Sequence, residues 1–359
     1  MGASVRFGRL KSQARTALAA EVARLAETAM VGGAGAALFV LLGVPAGAIL
    51  GALLFTAGAS LAGRRLGWPA PLRDLLFFVT GVGAGASVTP ATLGAAAVWP
   101  LSLAALVVAT LGIWAVGFLV FRRLSGADAP TAFFATSPGA LSAVMILAEE
   151  EGAQLVPVAV AQTLRISTLV AMAPLALGFG HVAPPEPAVS PLLPQAVGWP
   201  AVLAAAAAGA WIARRLGWPV PVFLGALLGS AALHATAAVD TRLPPAVFTV
   251  AAAGLGAVIG SRFAGIRPRD LLALTPASLA SLAAMALVSA PVGALAGWLS
   301  GVGPAAGLMA FAPGSMEMMV AVSLSLNANP AYVAAHHVAR TLLLLGLLPL
   351  LATRWRTRT

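Results

Sequence analysis

Two arginines lie inside apolar stretches of this sequence, where a charge is costly. Arg165 stands about ten residues into one stretch, and Arg340 stands at the equivalent depth of another. An arginine at mid-membrane depth costs at least about 2.5 kcal/mol on insertion scales, so each should face a cavity or a partner. We therefore treat both as candidates for binding an anionic ligand. A structural ion pair, or a side chain that reaches a membrane interface, is the alternative.

Three more ionisable side chains stand close to these arginines. Glu317 is the only acidic residue inside a predicted membrane segment, and it could pair with Arg340 or bind a coupling proton or sodium ion. His336 and His337 precede Arg340 by four and three residues, so both can lie near its helical face. His337, the counterpart of Gln162, is a candidate proton carrier. A histidine bonded to nearby backbone is the alternative.

A Pro-Gly pair precedes each of the two arginines. Proline lacks a backbone donor and glycine tolerates any backbone conformation, so each pair is expected to break a helix in mid-segment. Broken backbone at membrane depth persists only where protein or a water-filled cavity satisfies it. A mere proline kink is the alternative. The candidate ligand-binding residues at the two breaks are Ser137, Pro138, Gly139, Gln162, Arg165, Pro313, Gly314, Ser315 and Arg340.

The composition predicts that the lipid bilayer is the solvent of this chain. Of 359 residues, 60% are hydrophobic and only 9% are charged, whereas a soluble domain carries about 25% charged residues. The stretches 95–121 and 271–298 run past the ~20 apolar residues that span a membrane. They lack the alternation of barrel strands, so we expect helices.

The charged residues indicate topology rather than nucleic-acid binding. The net charge is +10, but the 21 basic residues, all arginine except Lys11, lie in small clusters between apolar segments. The chain has no cysteine and only four histidines. We expect no metal site and no cofactor, because adjacent His336 and His337 point about 100° apart on a helix. We also expect no enzymatic activity.

The sequence contains two related halves. Residues 137–174 align without a gap on residues 312–349, at a constant offset of 175, and the Pro-Gly pair and the arginine recur in both. Residues 43–54 align on 217–228 at an offset of 174. Such self-similarity over nearly the whole chain predicts two structural repeats.

Each half offers six apolar segments, and the charges indicate how many of them cross. If the Pro-Gly segments re-enter on one side, five segments cross per half and eighteen basic residues become cytoplasmic. An odd number of crossings inverts the second half relative to the first. We therefore predict an all-α membrane protein of two inverted repeats, each with five transmembrane helices and one re-entrant or broken segment. The boundaries are a cytoplasmic segment 1–27, a first repeat 28–180, an external linker 181–195, a second repeat 196–352 and a cytoplasmic tail 353–359.

The motifs around both breaks resemble those of the bacterial AbrB-type membrane proteins, a family linked by name to regulation of aidB. The resemblance covers about residues 28–352 and is carried by 131–139 with Gln162 and Arg165, and by 311–317 with the His-His-Arg group that ends at Arg340. Family members usually carry a glutamate shortly after Pro-Gly in both copies. Residues 140–143 lack it here, so the resemblance does not imply a symmetric acidic role.

The resemblance implies membrane transport as a class, because the family is similar to cation/proton antiporters and anion transporters. We predict a secondary transporter of a small organic anion in the bacterial inner membrane, with both termini cytoplasmic. The alternative is a membrane-embedded regulator or sensor of gene expression. Some relatives are labelled ammonia monooxygenases, but the histidines of this chain do not suit a metal centre. The sequence leaves a homodimer open.

Overall fold

The computed structural model describes residues 2–138, 141–177 and 195–356, and its regular structure is helical throughout that part of the chain. Prolines stand in the first turn of many helices, where their missing N–H costs nothing. The helices are α1 (Gly2–Leu41), α2 (Gly47–Leu61), α3 (Ala70–Gly85), α4 (Pro90–Ala95), α5 (Trp99–Ser125), α6 (Ala129–Thr136), α7 (Leu141–Glu150), α8 (Leu155–Leu177), α9 (Gln195–Arg215), α10 (Pro221–His234), α11 (Pro245–Gly260), α12 (Pro268–Leu299), α13 (Pro304–Phe311), α14 (Met316–Ser325) and α15 (Pro330–Arg356).

Within the described residues, seven helical stretches are long and apolar enough to cross a membrane, so the chain is a multi-pass membrane protein. The helices α2, α10 and α14 are apolar but shorter. The predicted segment 1–27 belongs to α1, and the predicted linker 181–195 lies almost wholly outside the described residues. The seven stretches are Ala19–Leu41, Pro90–Ser125, Leu155–Leu175, Val197–Arg215, Pro245–Phe263, Pro268–Leu299 and Pro330–Leu348.

Both Pro-Gly segments interrupt a helix. In the first half, α6 ends at Thr136 and α7 begins at Leu141; in the second half, α13 ends at Phe311 and α14 begins at Met316. Gly139 lies outside the described residues. The local chemistry of proline and glycine accounts for these positions, since neither residue continues a helix well.

The two halves pack against each other through equivalent glycines. A Cβ on Gly81 of α3 would overlap the carbonyl oxygen of Phe223 in α10, and a Cβ on Gly256 of α11 would overlap that of Ile49 in α2. Gly81 and Gly256 occupy equivalent positions in the two repeats, and so do Ile49 and Phe223, so each contact is the repeat counterpart of the other. A shared contact of this kind is typical of units related by a two-fold axis.

The equivalent helices α5 and α12 also pack directly against each other. Gly112 faces Val288, whereas Gly117 faces Met285 and accepts a hydrogen bond from the Ser281 hydroxyl at 2.9 Å. As residue numbers rise in α5, the contacts in α12 therefore move to lower numbers. The two helices run antiparallel.

Candidate functional site

The first break is capped by two side chains of α8. Arg165 donates to the carbonyl oxygens of Thr136 at 3.2 Å and Ser137 at 3.1 Å. Gln162 donates through Nε2 to the carbonyl oxygens of Phe134 at 2.8 Å and Ser137 at 3.0 Å, while its Oε1 accepts from Arg165. The last carbonyls of a helix lack intrahelical partners, so these bonds satisfy the end of α6.

The second break repeats this arrangement on α15. Arg340 donates to the carbonyl oxygens of Ala312 at 2.6 Å and Gly314 at 3.1 Å. His337 Nε2 bonds the carbonyl oxygen of Met309 at 3.0 Å, and His337 Nδ1 bonds Arg340. Met309 is the repeat counterpart of Phe134. The C-terminal end of α13 is thus capped in the same way as that of α6, by an arginine and the side chain three residues before it.

Helix ends, rather than carboxylates, accept the hydrogen bonds of both buried arginines. Arg165 is 5% exposed and Arg340 is 4% exposed, and each lies at the C-terminal end of a helix, where the macrodipole favours a cation. Pro138 of the first break and Gly314 of the second line the same cavity, so the two breaks lie close together. Glu317 interacts electrostatically with Arg262, and within the described chain no hydrogen bond or ion pair joins it to Arg340.

The hydrogen bonds of His337 assign its tautomer. A carbonyl oxygen only accepts, so Nε2 must carry a proton toward Met309; a guanidinium only donates, so Nδ1 must accept from Arg340. A second proton on Nδ1 would break the bond to Arg340. Neutral His337 therefore presents the same donor and acceptor as Gln162 does in the first half. This geometry does not suit the predicted proton carrier.

Replacing His337 by glutamine should preserve the second cap, because the amide of Gln162 already performs the same task. We expect the affinity of His337→Gln for its ligand to stay within about threefold of the wild-type value at each pH, since one neutral donor–acceptor pair replaces another. His337→Ala should lower the thermal stability, because it leaves the Met309 carbonyl unpaired. Binding measured across pH checks this expectation. A loss of pH dependence in His337→Gln alone would instead make His337 the proton carrier.

A cavity of about 670 Å³ opens beside the two breaks. Its inner part is lined by Pro138 from the first break and by Gly314, Ser315, Glu317 and the cap residues of α15 from the second. Pockets of 300–1,000 Å³ accommodate small molecules. Most of the predicted residues at the second break thus share one concave space, whereas Pro313 of that break and Ser137, Gln162 and Arg165 of the first are not among its lining residues.

The inner end of the cavity offers several donors to an anion. Arg340 commits three of its five N–H groups to described protein partners, leaving two toward its surroundings. Ser315 precedes α14 without capping it, and its buried Oγ has no hydrogen-bond partner among the described residues. Glu317 stands in the first turn of α14. A helix N-terminus and a guanidinium together favour an anionic group.

The sequence predicted only a topological role for the charged residues at the cavity mouth. Arg73 and Arg214 are exposed there, and Arg214 forms an ion pair with Asp74 at 2.6 Å that joins α9 to α3. Arg262, in the turn after α11, lines the cavity, and its buried Nη1 makes no hydrogen bond within the part of the chain that the structure describes. An arginine next to an apolar helix is typical of a cytoplasmic flank, so the sequence offered no signal to separate these roles.

His336 lies outside the cavity in a separate buried cluster. Its Nδ1 bonds the Tyr332 carbonyl oxygen at 2.9 Å, and its Nε2 bonds the Ser102 hydroxyl at 2.9 Å. The alternative of a backbone-bonded histidine thus describes His336. Within the described part of the chain, no group of three or more His, Cys, Asp or Glu side chains could hold a metal.

Comparisons with known proteins agree with the motif resemblance. The family model described as "Transition state regulatory protein AbrB" matches residues 49–356. The curated "Uncharacterized protein YhjN" of Bacillus subtilis (strain 168) is 30% identical over 257 residues, which is 64% of this chain and 64% of that protein. The aligned region therefore spans less than two thirds of this relative. No solved structure matches.

Proposed function

We propose that this chain, which belongs to the AbrB family of membrane proteins, is a secondary transporter of a small organic anion. The observation that carries the proposal is the cavity beside two interrupted helices, with Arg340 and the uncapped start of α14 at its inner end. Interrupted helices at a repeat interface are a common way for transporters to bind ions and substrates. The anion undergoes no covalent change during this transport.

Alternating access would come from two inverted repeats of five crossings each. The antiparallel packing of the equivalent helices α5 and α12 supports this topology. If both helices cross the membrane, a two-fold axis that relates them must lie in the membrane plane. Labelling of introduced cysteines should then place both termini on one face and Arg242 on the other; termini on opposite faces would contradict the inverted repeats.

The basic mouth of the cavity sets the proposed orientation. Arg73 and Arg214 lie at the opening, and the positive-inside rule assigns such residues to the cytoplasmic side. We therefore infer a bacterial inner-membrane protein in an inward-open conformation, with both termini in the cytoplasm. The ion pair between Arg214 and Asp74 spans the halves at this opening.

Glu317 is the proposed coupling residue for a proton or a sodium ion. It is 8% exposed, lines the cavity and lies near Arg262. Glu317→Gln keeps the side-chain size but cannot bind either cation, so we expect it to abolish accumulation driven by an ion gradient while anion exchange persists. Uptake under an imposed pH or sodium gradient, compared with equilibrium exchange, measures the two activities. Wild-type accumulation by Glu317→Gln would exclude this role.

Flux in proteoliposomes tests the transport proposal itself. Purified protein is reconstituted and offered a panel of labelled carboxylates, with and without pH and sodium gradients. We expect saturable uptake of at least one carboxylate that empty liposomes lack. Absence of both flux and binding for every anion would contradict the proposal.

The regulatory alternative has no comparable support. A regulator needs a surface through which to relay a signal, yet the connections between described helices on either side of residues 178–194 are no longer than ten residues. The word "regulatory" in the family description belongs to the family as a whole, not to an observation on this chain.

A further inference from the structure

We propose that the transported anion is a monocarboxylate with an apolar body, larger than acetate. This inference rests on the proposed transport function and adds the substrate class. It follows from the side chains that line the cavity, which are exposed charged ones at its mouth, apolar ones on its wall and the buried Arg340.

Part of the cavity wall is apolar. On α3, Phe77 follows Arg73 by about one helical turn, and it lines the cavity together with Ile166, Val222 and Met316. These last three are between 1% and 7% exposed. An apolar body held against this wall would gain about 25 cal/mol for each Å² that it buries.

Arg340 is a buried cation of the cavity to which no described acidic side chain is bonded. His337 beside it is neutral by its hydrogen bonds, and Glu317 lies near Arg262. At the mouth, Arg214 is already paired with Asp74. One carboxylate would therefore balance Arg340, whereas a second would lie unpaired against the apolar wall at a cost in desolvation.

A set of four probes separates the contributions of charge and of the apolar body. Acetate has the charge without the body, phenylacetate has both, phenylacetamide has the body without the charge, and succinate has two charges. Binding to the purified full chain is measured by calorimetry. We expect phenylacetate to bind at least about tenfold more tightly than acetate, because the ring buries apolar surface. Phenylacetamide and succinate should both bind more weakly than phenylacetate.

Two variants of α3 locate the apolar contact. Phe77→Ala should reduce the preference for phenylacetate over acetate to less than about threefold, because it removes a ring from the cavity wall. Leu75→Ala, on the same helix but 52% exposed and outside the cavity, is the matched control and should keep the preference.

The possible outcomes separate the two proposals. Succinate binding more tightly than phenylacetate, or an equal preference in Phe77→Ala and Leu75→Ala, would overturn the substrate class while transport stands. If none of the anions binds and no carboxylate is taken up into the proteoliposomes, the transport proposal fails as well.

Discussion

Replacing Arg340 by alanine is expected to abolish anion transport and to weaken anion binding by at least about 100-fold, equivalent to about 2.7 kcal/mol. Arg340 lines the cavity, and two of its N–H groups have no described protein partner. Removing the charge leaves the anion to the N-terminus of α14 and to Arg262. Binding of radiolabelled carboxylate, with uptake in parallel, checks the size of the loss.

Arg165→Ala is the matched control within the same chain. Arg165 makes equivalent bonds to its own break but does not line the cavity. We expect it to leave affinity within about threefold while lowering thermal stability, because it removes charge-assisted hydrogen bonds worth about 1.5–3 kcal/mol each. Equal losses of affinity in the two variants, both folded, would show that the arginines act alike and that the cavity is not the binding site.

Replacing Gly225 by valine is expected to prevent folding. Gly225 of α10 meets Gly209 of α9, where a Cβ would overlap the backbone of the facing helix. Because the overlap is with backbone, it cannot be relieved by turning a side chain, and we expect a cost of at least about 3 kcal/mol. Folded yield after size-exclusion chromatography and the midpoint of thermal unfolding measure the effect.

The repeat supplies a second variant and α1 supplies a control. Gly51→Val should fail in the same way as Gly225→Val, because Gly51 meets Gly35 at the equivalent crossing of α1 and α2. Gly33 lies nearby on α1 and is exposed, and a Cβ added to it would meet no atom within 4 Å. Gly33→Val should fold normally, and failure of all three variants alike would remove the explanation by close packing.

The sequence predicted the features that depend on local chemistry. The Pro-Gly pairs locate both interruptions, because the effect of each residue on a helix does not depend on its neighbours in space. The apolar stretches 95–121 and 271–298 lie within the long helical stretches Pro90–Ser125 and Pro268–Leu299, and Asn327 and Asn329 adopt positive φ angles before α15. Asparagine tolerates that conformation better than most residues.

The features that depend on tertiary contacts were not predictable. The repeats made Arg165 and Arg340 equivalent, but only Arg340 lines the large cavity. The sequence left two roles open for Glu317, an ion pair with Arg340 or the binding of a coupling ion, and gave no indication of its proximity to Arg262, which is distant in sequence. His337 carried no sign of its tautomer, since that depends on which atoms face its two ring nitrogens.

Alkylation of a single introduced cysteine tests most directly whether the cavity at the breaks binds the anion. The chain has no cysteine, so Thr341→Cys provides one thiol in the cavity beside Arg340 and Ser137→Cys provides a buried control at the first break. We predict that a soluble maleimide labels Thr341→Cys, that phenylacetate or another transported carboxylate slows this labelling, and that Ser137→Cys reacts slowly in either condition. Labelling of Thr341→Cys that no transported anion slows would contradict binding at this cavity.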